Sequence, residues 1–247
     1  MKTLYESILG STKTGARAEI EKWCDAHNLY DKRYIINSDN TVSPYKTADL
    51  LYLHYDDYSK IPDYIKFKTT NDCILHIGPM RGRVEETVKL TSFEGLPKEV
   101  NKAKILLGTN VRSLPPLSIK VCDSFVLDAS WVKEYQGLTI EFTDKGGDNH
   151  LTLRTDAPLK NVKVIGANIL NFVNDFNIGD AFSKAMNRKA QMNKYRNKYE
   201  IPVSPEAIQV INTFFTGIDM STVTEILYTQ NSKLVKFNGQ WYRCKNW

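Results

Sequence analysis

The sequence predicts an α+β protein in which a helical N-terminal segment and a C-terminal helix-and-hairpin module flank a central solenoid. Three observations predict it. Pro44, Pro62, Pro79, Pro97 and Pro115 fall 18, 17, 18 and 18 residues apart. Short apolar runs accompany that rhythm: Leu50–Leu53, Cys73–Leu75, Ile105–Leu107 and Phe125–Leu127. The two ends of the chain lack the rhythm and carry helical and hairpin patterns instead. A fixed period marks one supersecondary unit stacked on copies of itself, each burying the face its neighbour leaves open.

The first region, residues 1–42, opens with Leu4, Tyr5, Ile8 and Leu9 on one face at helical spacing. Gly10-Ser11-Thr12-Lys13-Thr14-Gly15 interrupts the pattern and reads as a hinge. A second helix follows, with Ala16, Ile20, Trp23 and Cys24 on its apolar face and His27 at the end of that stripe. Tyr34-Ile35-Ile36 reads as a strand before the turn Asn37-Ser38-Asp39-Asn40.

The second region, residues 43–172, carries the period. Beyond the runs already named, strand patterns continue through Leu138-Thr139-Ile140 with Phe142, then Leu151 and Leu153, then Val162, Val164 and Ile165. Gly146-Gly147-Asp148-Asn149 marks a turn between two of them. The proline register lapses after Pro116 and returns at Pro158, so the last turns are irregular or carry an insertion.

The third region, residues 173–247, changes character. Residues 181–199 hold six basic residues and no acidic one, and read as a helix. Ser204-Pro205-Glu206 is a helix start: a serine cap, a proline where a missing donor costs nothing, and a carboxylate near the positive helix end. That helix would run through Val210, Ile211, Phe214 and Phe215 to Gly217, and Ser221 would cap another carrying Val223, Ile226 and Leu227. Asn238-Gly239, set between Leu234–Phe237 and Trp241-Tyr242, signals a hairpin because both turn residues tolerate positive φ.

Composition bounds the class. The 247 residues are 42% hydrophobic and 25% charged, ordinary for a soluble globular chain, with a net charge of +5 that permits an acidic partner without demanding one. No apolar run approaches the ~18 residues of a membrane span, and Met1–Leu9 lacks the continuous apolar stretch of a secretory signal. The expected location is a cytoplasm or a virion, reached without conventional secretion. Cys24, Cys73, Cys122 and Cys244 lack metal or disulfide spacing, and Cys73 and Cys122 read as small core residues. No cofactor or metal is expected.

The phrase Ser92-Phe93-Glu94-Gly95-Leu96-Pro97-Lys98-Glu99-Val100 resembles the short leucine-rich-repeat-like units of uncharacterised proteins from gut Bacteroidetes and their tailed phages. Leu90, Ser92, Phe93, Gly95, Pro97 and Val100 match one unit of that pattern. Ile61-Pro62 with Ile65, and Leu114-Pro115 with Leu117, match it in part, and the opening LYESIL is similar to the start of such phage proteins. The resemblance covers about half of the chain and implies an architecture, a leucine-rich-repeat-like or other β-solenoid, more than an activity. The proline spacing is shorter than the 20–29 residues usual for leucine-rich repeats.

Catalytic motifs fail on inspection. Lys13-Thr14-Gly15, Ser38-Asp39-Asn40 and Ser43-Pro44-Tyr45-Lys46 mimic the serine β-lactamase signatures, but in reversed order and crowded into 34 residues. Gly10 and Gly15 have phosphate-loop spacing, yet Ala16 and Arg17 replace the lysine and hydroxyl that would hold phosphate and magnesium. His54 beside Asp56 and Asp57 shows no ligand spacing. His76, between Leu75 and Ile77, faces away from its apolar neighbours on a strand. Asp144, Asp148 and His150 flank the glycine turn and are weighed as a calcium or catalytic group, with a structural role favoured.

The leading expectation is therefore a non-enzymatic protein-binding or assembly protein that uses its solenoid surface, with phage origin implied by the resemblance alone. Leu4, Tyr5, Ile8 and Leu9 are the candidate partner-binding residues, since short helices dock in grooves through anchors at this spacing. The alternative is nucleic-acid binding, with Lys184, Arg188, Lys189, Lys194, Arg196 and Lys198 meeting phosphates while Tyr195 and Tyr199 stack on bases. A second alternative is a carbohydrate-active enzyme on the solenoid, for which Asp56, Asp57, Asp123 and Asp128 are the available carboxylates.

Overall fold

The computed structural model describes residues 4–27, 29, 34–45, 50–54, 60–70, 72–78, 91–107, 111–130, 132–144, 146–155, 160–173, 176–185, 191–193, 198–229, 234–237 and 240–243. In chain order these form α1 (Leu4–Ala26), β1 (Tyr34–Ile36), β2 (Val42–Pro44), β3 (Leu50–His54), β4 (Ile74–Gly78), β5 (Glu99–Leu106), β6 (Ser113–Leu114) and β7 (Leu117–Asp128). They continue as β8 (Glu134–Tyr135), β9 (Leu138–Phe142), β10 (His150–Arg154), β11 (Val162–Ile165), β12 (Ile169–Val173), α2 (Phe176–Ala185), β13 (Gln191–Asn193) and β14 (Lys198–Ile201). The last elements are α3 (Pro205–Phe214), β15 (Glu225–Thr229), β16 (Leu234–Phe237) and β17 (Gln240–Arg243).

The architecture is α+β with a central β-solenoid, as the sequence pattern predicts. Its principal face stacks β3, β4, β5, β7, β10, β12 and β15 side by side, every pair parallel. Strand alternation sends one set of side chains inward, and the register lines them up in ladders. Leu51, Leu75, Ala103, Phe125, Leu151, Leu170 and Ile226 form one. Leu53, Ile77, Ile105, Leu127, Leu153, Phe172 and Tyr228 form the next, and both ladders are buried. Each large apolar rung contributes about 1.5–3 kcal/mol of burial, so the stack itself holds the solenoid together.

The register corrects the period. Leu50 pairs with Ile74, Ile74 with Lys102, Lys102 with Ser124, Ser124 with His150 and His150 with Ile169. One circuit therefore takes 24, 28, 22, 26 and 19 residues in turn, not 17 or 18. The prolines do not occupy equivalent places: Pro44 ends β2, Pro62 opens a turn, Pro97 precedes β5 and Pro115 follows β6. Equal spacing in sequence is not equal position in the coil when the turns vary in length. One element of the repeat phrase is nonetheless structural. Gly95 takes φ +88° in the turn after the buried Phe93, and an added Cβ would press on Ile61 at 3.1 Å, so the turn stacks on the preceding Ile61-Pro62 turn.

A second face pairs the first half of β7 with β9, and β9 with β11, stacking Leu117, Leu138 and Val162, then Ile119, Ile140 and Val164. β7 serves both faces. Its alternation breaks at Cys122, Asp123 and Ser124, three consecutive half-buried residues, and there the strand bends from one face to the other. In the next circuits the same corner is made by residues 143–144 with 146–149, and by 166–168. Asparagines tie these corners together. The Asn149 amide donates to the carbonyls of Asp144 (2.6 Å) and Gly166 (2.8 Å), while that of Asn168 donates to the Thr222 carbonyl at 3.1 Å.

At the N-terminal end α1 runs without interruption from Leu4 to Ala26, so the hinge expected at residues 10–15 is absent. Interior glycines cost about 1 kcal/mol each relative to alanine, which weakens a helix without breaking it. Ile20, Trp23 and Cys24 plug the core, whereas Ala16 is exposed. At the other end Phe172 stacks on Phe215 (centroids 5.1 Å apart) and packs on Phe182 of α2. The Ser204 cap forms as expected, its side chain accepting from the Ala207 N–H. Asp219, not Ser221, caps the next segment. It is a short 3-10 turn, and Ile226 and Leu227 lie on strand β15 instead of a helix.

The basic helix expected over 181–199 is also corrected. α2 stops at Ala185, and β13 and β14 follow as antiparallel strands on β15. Pairing with an available sheet edge outweighs local helix propensity there. The hairpin forms where predicted, with Phe237 opposite Gln240.

Candidate binding groove on the outer sheet face

Residues that alternate with the buried ladders point outward from the principal face. One row runs Lys102, Ser124, His150, Ile169 and Glu225, in register across β5, β7, β10, β12 and β15. With parallel strands about 4.8 Å apart, its four steps span roughly 19 Å along the solenoid. This row lies along an open groove of about 440 Å³, which Asp123, Asp148 and Leu227 complete.

The corner geometry supplies the two aspartates. The bend in β7 turns Asp123 toward Lys102, and the two side chains form an ion pair at 2.7 Å with 44% and 43% exposure. So exposed a pair contributes little stability and chiefly fixes where the charges stand. Asp148 closes the glycine-rich corner ahead of β10. Asp144, two residues before Gly146, is used up locally: its Oδ1 accepts from the Gly146 N–H at 2.9 Å. Leu227 is apolar, outward-facing and 1% exposed, so the groove meets covered apolar surface at one end.

Beside the groove runs a polar string in which the Thr229 hydroxyl donates to Asn171 Oδ1 (3.0 Å) and the Asn171 amide to Thr152 Oγ1 (3.4 Å). Asp128 accepts from Arg154 at 2.8 Å and from the Ser130 hydroxyl at 3.0 Å. Toward β3 the same face turns apolar. Leu50 and Ile74 are register partners, 43% and 37% exposed. Next to them the rings of Tyr52 and His76 meet at 4.4 Å, with His76 directed away from buried Leu75 and Ile77.

Several residues singled out from sequence fall elsewhere. Leu4, Tyr5, Ile8 and Leu9 lie on α1, but their side chains are outside the described residues. Lys184 is exposed on α2, Lys198 and Tyr199 are on β14, and Arg188, Lys189, Lys194, Tyr195 and Arg196 lie outside the described residues, as do Asp56 and Asp57. The expected basic residues thus belong to more than one element. Asp123 and Asp128 share β7; five residues of strand separate them by about 16 Å, beyond the reach of two carboxylates acting on one glycosidic bond. Ser38-Asp39-Asn40 makes a plain turn, in which Asp39 is held below the usual carboxylate range by the hydroxyl and N–H of Thr41.

Among the described residues, no group of three or more His, Cys, Asp or Glu side chains is placed to hold a metal ion, and no helix is long and apolar enough to cross a membrane. Cys24 and Cys73 are buried and Cys122 half-buried at the bend; burial, then the neighbouring Asp25, pushes the Cys24 thiol up to about 12. Sequence reasoning missed Lys102, Ser124, Ile169, Glu225 and Leu227 as members of one groove. Alternation alone places Lys102 and Ser124 outward, but nothing local announces that Glu225 lands two strands from His150. No protein-family model, curated protein or solved structure matches the chain.

Proposed function

We propose that this β-solenoid is a non-enzymatic binding or assembly protein that engages a protein partner through the outer face of its principal sheet. The observation carrying this reading is the apolar end of that face. Leu50 and Ile74 stand exposed side by side on neighbouring strands, with the Tyr52–His76 ring pair next to them. Adjacent exposed aliphatic groups beside half-buried rings on a sheet favour association, because covering them releases their hydration at about 25 cal/mol per Å². The sheet is also preorganised, so little ordering entropy opposes docking.

The test is site-specific photocrosslinking in the native source, with a benzophenone side chain at Ile74, at Lys104 on the adjoining strand, or at Lys163 on the second face. One partner captured from positions 74 and 104 but not from 163 is the expected result. Leu50→Lys with Ile74→Lys should then abolish capture while the melting temperature holds. Equal capture from all three positions, or capture that survives the double substitution, refutes the proposal.

A further inference from the structure

We propose that the groove from Lys102 to Glu225 binds an uncharged saccharide chain laid along the solenoid axis. The groove begins at Lys102, the register partner of Ile74, but shares no residue with the apolar end, so substitutions in one test its reading without touching the other. Three features of the groove specify the ligand. The first is its repeat. Lys102, Ser124, His150, Ile169 and Glu225 present one side chain per strand in a straight row, stepped by about 4.8 Å. An extended glycan advances by a similar distance per pyranose, so successive sugars stay in step with successive strands. A peptide in extended form advances by about 3.3 Å per residue and drifts out of step with that row.

The second feature is its chemistry. Sugar hydroxyls both donate and accept, and the groove answers both roles. Asp123, Asp148 and Glu225 accept, Lys102 donates, and the Ser124 hydroxyl does either. Half-buried Ile169 adds apolar surface against which the C–H face of a ring can lie. The third is its charge. Three carboxylates against one lysine give the groove a formal excess of negative charge on a chain whose net charge is +5. Uronates, sulfated glycans and nucleic-acid phosphates are repelled there, whereas neutral sugars are not. An open groove in place of a closed pocket also suits a chain that passes through.

The experiment is binding of the full chain to an array of neutral glycans, followed by calorimetric titration with cellohexaose, xylohexaose, maltohexaose and hexa-N-acetylchitohexaose. Hexagalacturonate and hexalysine serve as charged comparisons. At least one uncharged hexamer should bind saturably, with affinity rising from dimer to pentamer as successive positions fill. Asp148→Asn with Glu225→Gln should weaken it at least tenfold without moving the thermal midpoint, and Lys163→Ala on the second face should leave it unchanged. The inference is overturned if no neutral glycan binds at millimolar concentration. It is equally overturned if hexagalacturonate or hexalysine binds more tightly than every neutral hexamer, or if binding survives the double variant.

Discussion

Gly217→Ala tests how the C-terminal module is joined to the solenoid. The chain passes so close to β11 at this point that a Cβ on residue 217 would fall on the Val162 carbonyl oxygen. Backbone atoms on both sides are fixed: the Val164 N–H donates to the Gly217 carbonyl at 2.8 Å, and the Asp219 N–H donates to the Val164 carbonyl at 2.9 Å. Inserting a methyl group forces this contact apart. Losing the two hydrogen bonds costs about 1 kcal/mol each, and overpacking adds about 1–3 kcal/mol, so the variant should lose about 3–5 kcal/mol. Urea unfolding followed by tryptophan fluorescence measures the loss, and amide exchange at Val164 locates it. A loss below about 1 kcal/mol, or a Val164 amide as protected as before, would show that the crossing is not tight and would undo the argument.

Other outcomes follow from single contacts. Phe215→Ala removes the ring stacked on Phe172 at 5.1 Å and should cost about 3–5 kcal/mol in the same assay. Gly15→Ala lies in α1 with nothing within 4 Å of the added methyl. Helicity by circular dichroism should rise, with a gain of about 1 kcal/mol in local helix stability; a fall would restore the hinge. Asp219 is held below its ordinary range by the Ser221 hydroxyl and then the Ser221 N–H. A carboxylate lowered in the folded state contributes stability above its unfolded value near 3.9 and loses it as pH falls through the folded value. Asp219→Asn should therefore flatten the acid limb of the stability–pH profile, which titrated unfolding between about pH 2 and pH 5 would measure. Cys24, buried with its thiol pushed up to about 12, should resist an aromatic disulfide reagent at pH 8 until the protein unfolds, while half-buried Cys122 reacts in the native state.

Much of the fold was legible because alternation and capping are local. Leu151 and Leu153, or Leu138 and Ile140, declare a strand by themselves, and Ser204-Pro205-Glu206 declares a helix start wherever it occurs. Local rules failed where a distant partner decided. Residues 198–201 became a strand because the edge of β15 stood open to them. Ile226 and Leu227 became strand because β12 offered a parallel partner from 56 residues earlier, at Leu170 to Ile226. The prolines misled for a related reason, since their even spacing ran across coils of uneven length.

By itself the sequence determined many of the strands, the turns and the capped helix start of this chain, because side-chain alternation, caps and turn residues act within a few positions of themselves. Only the tertiary structure decided the register, and with it the groove. Which outward residue stands beside which depends on how many residues each corner spends, and that number is set by packing and by the asparagine bonds across the corners. Lys102, Ser124, His150 and Glu225 are scattered over more than 120 positions, and a row of strands about 4.8 Å apart brings them within one face.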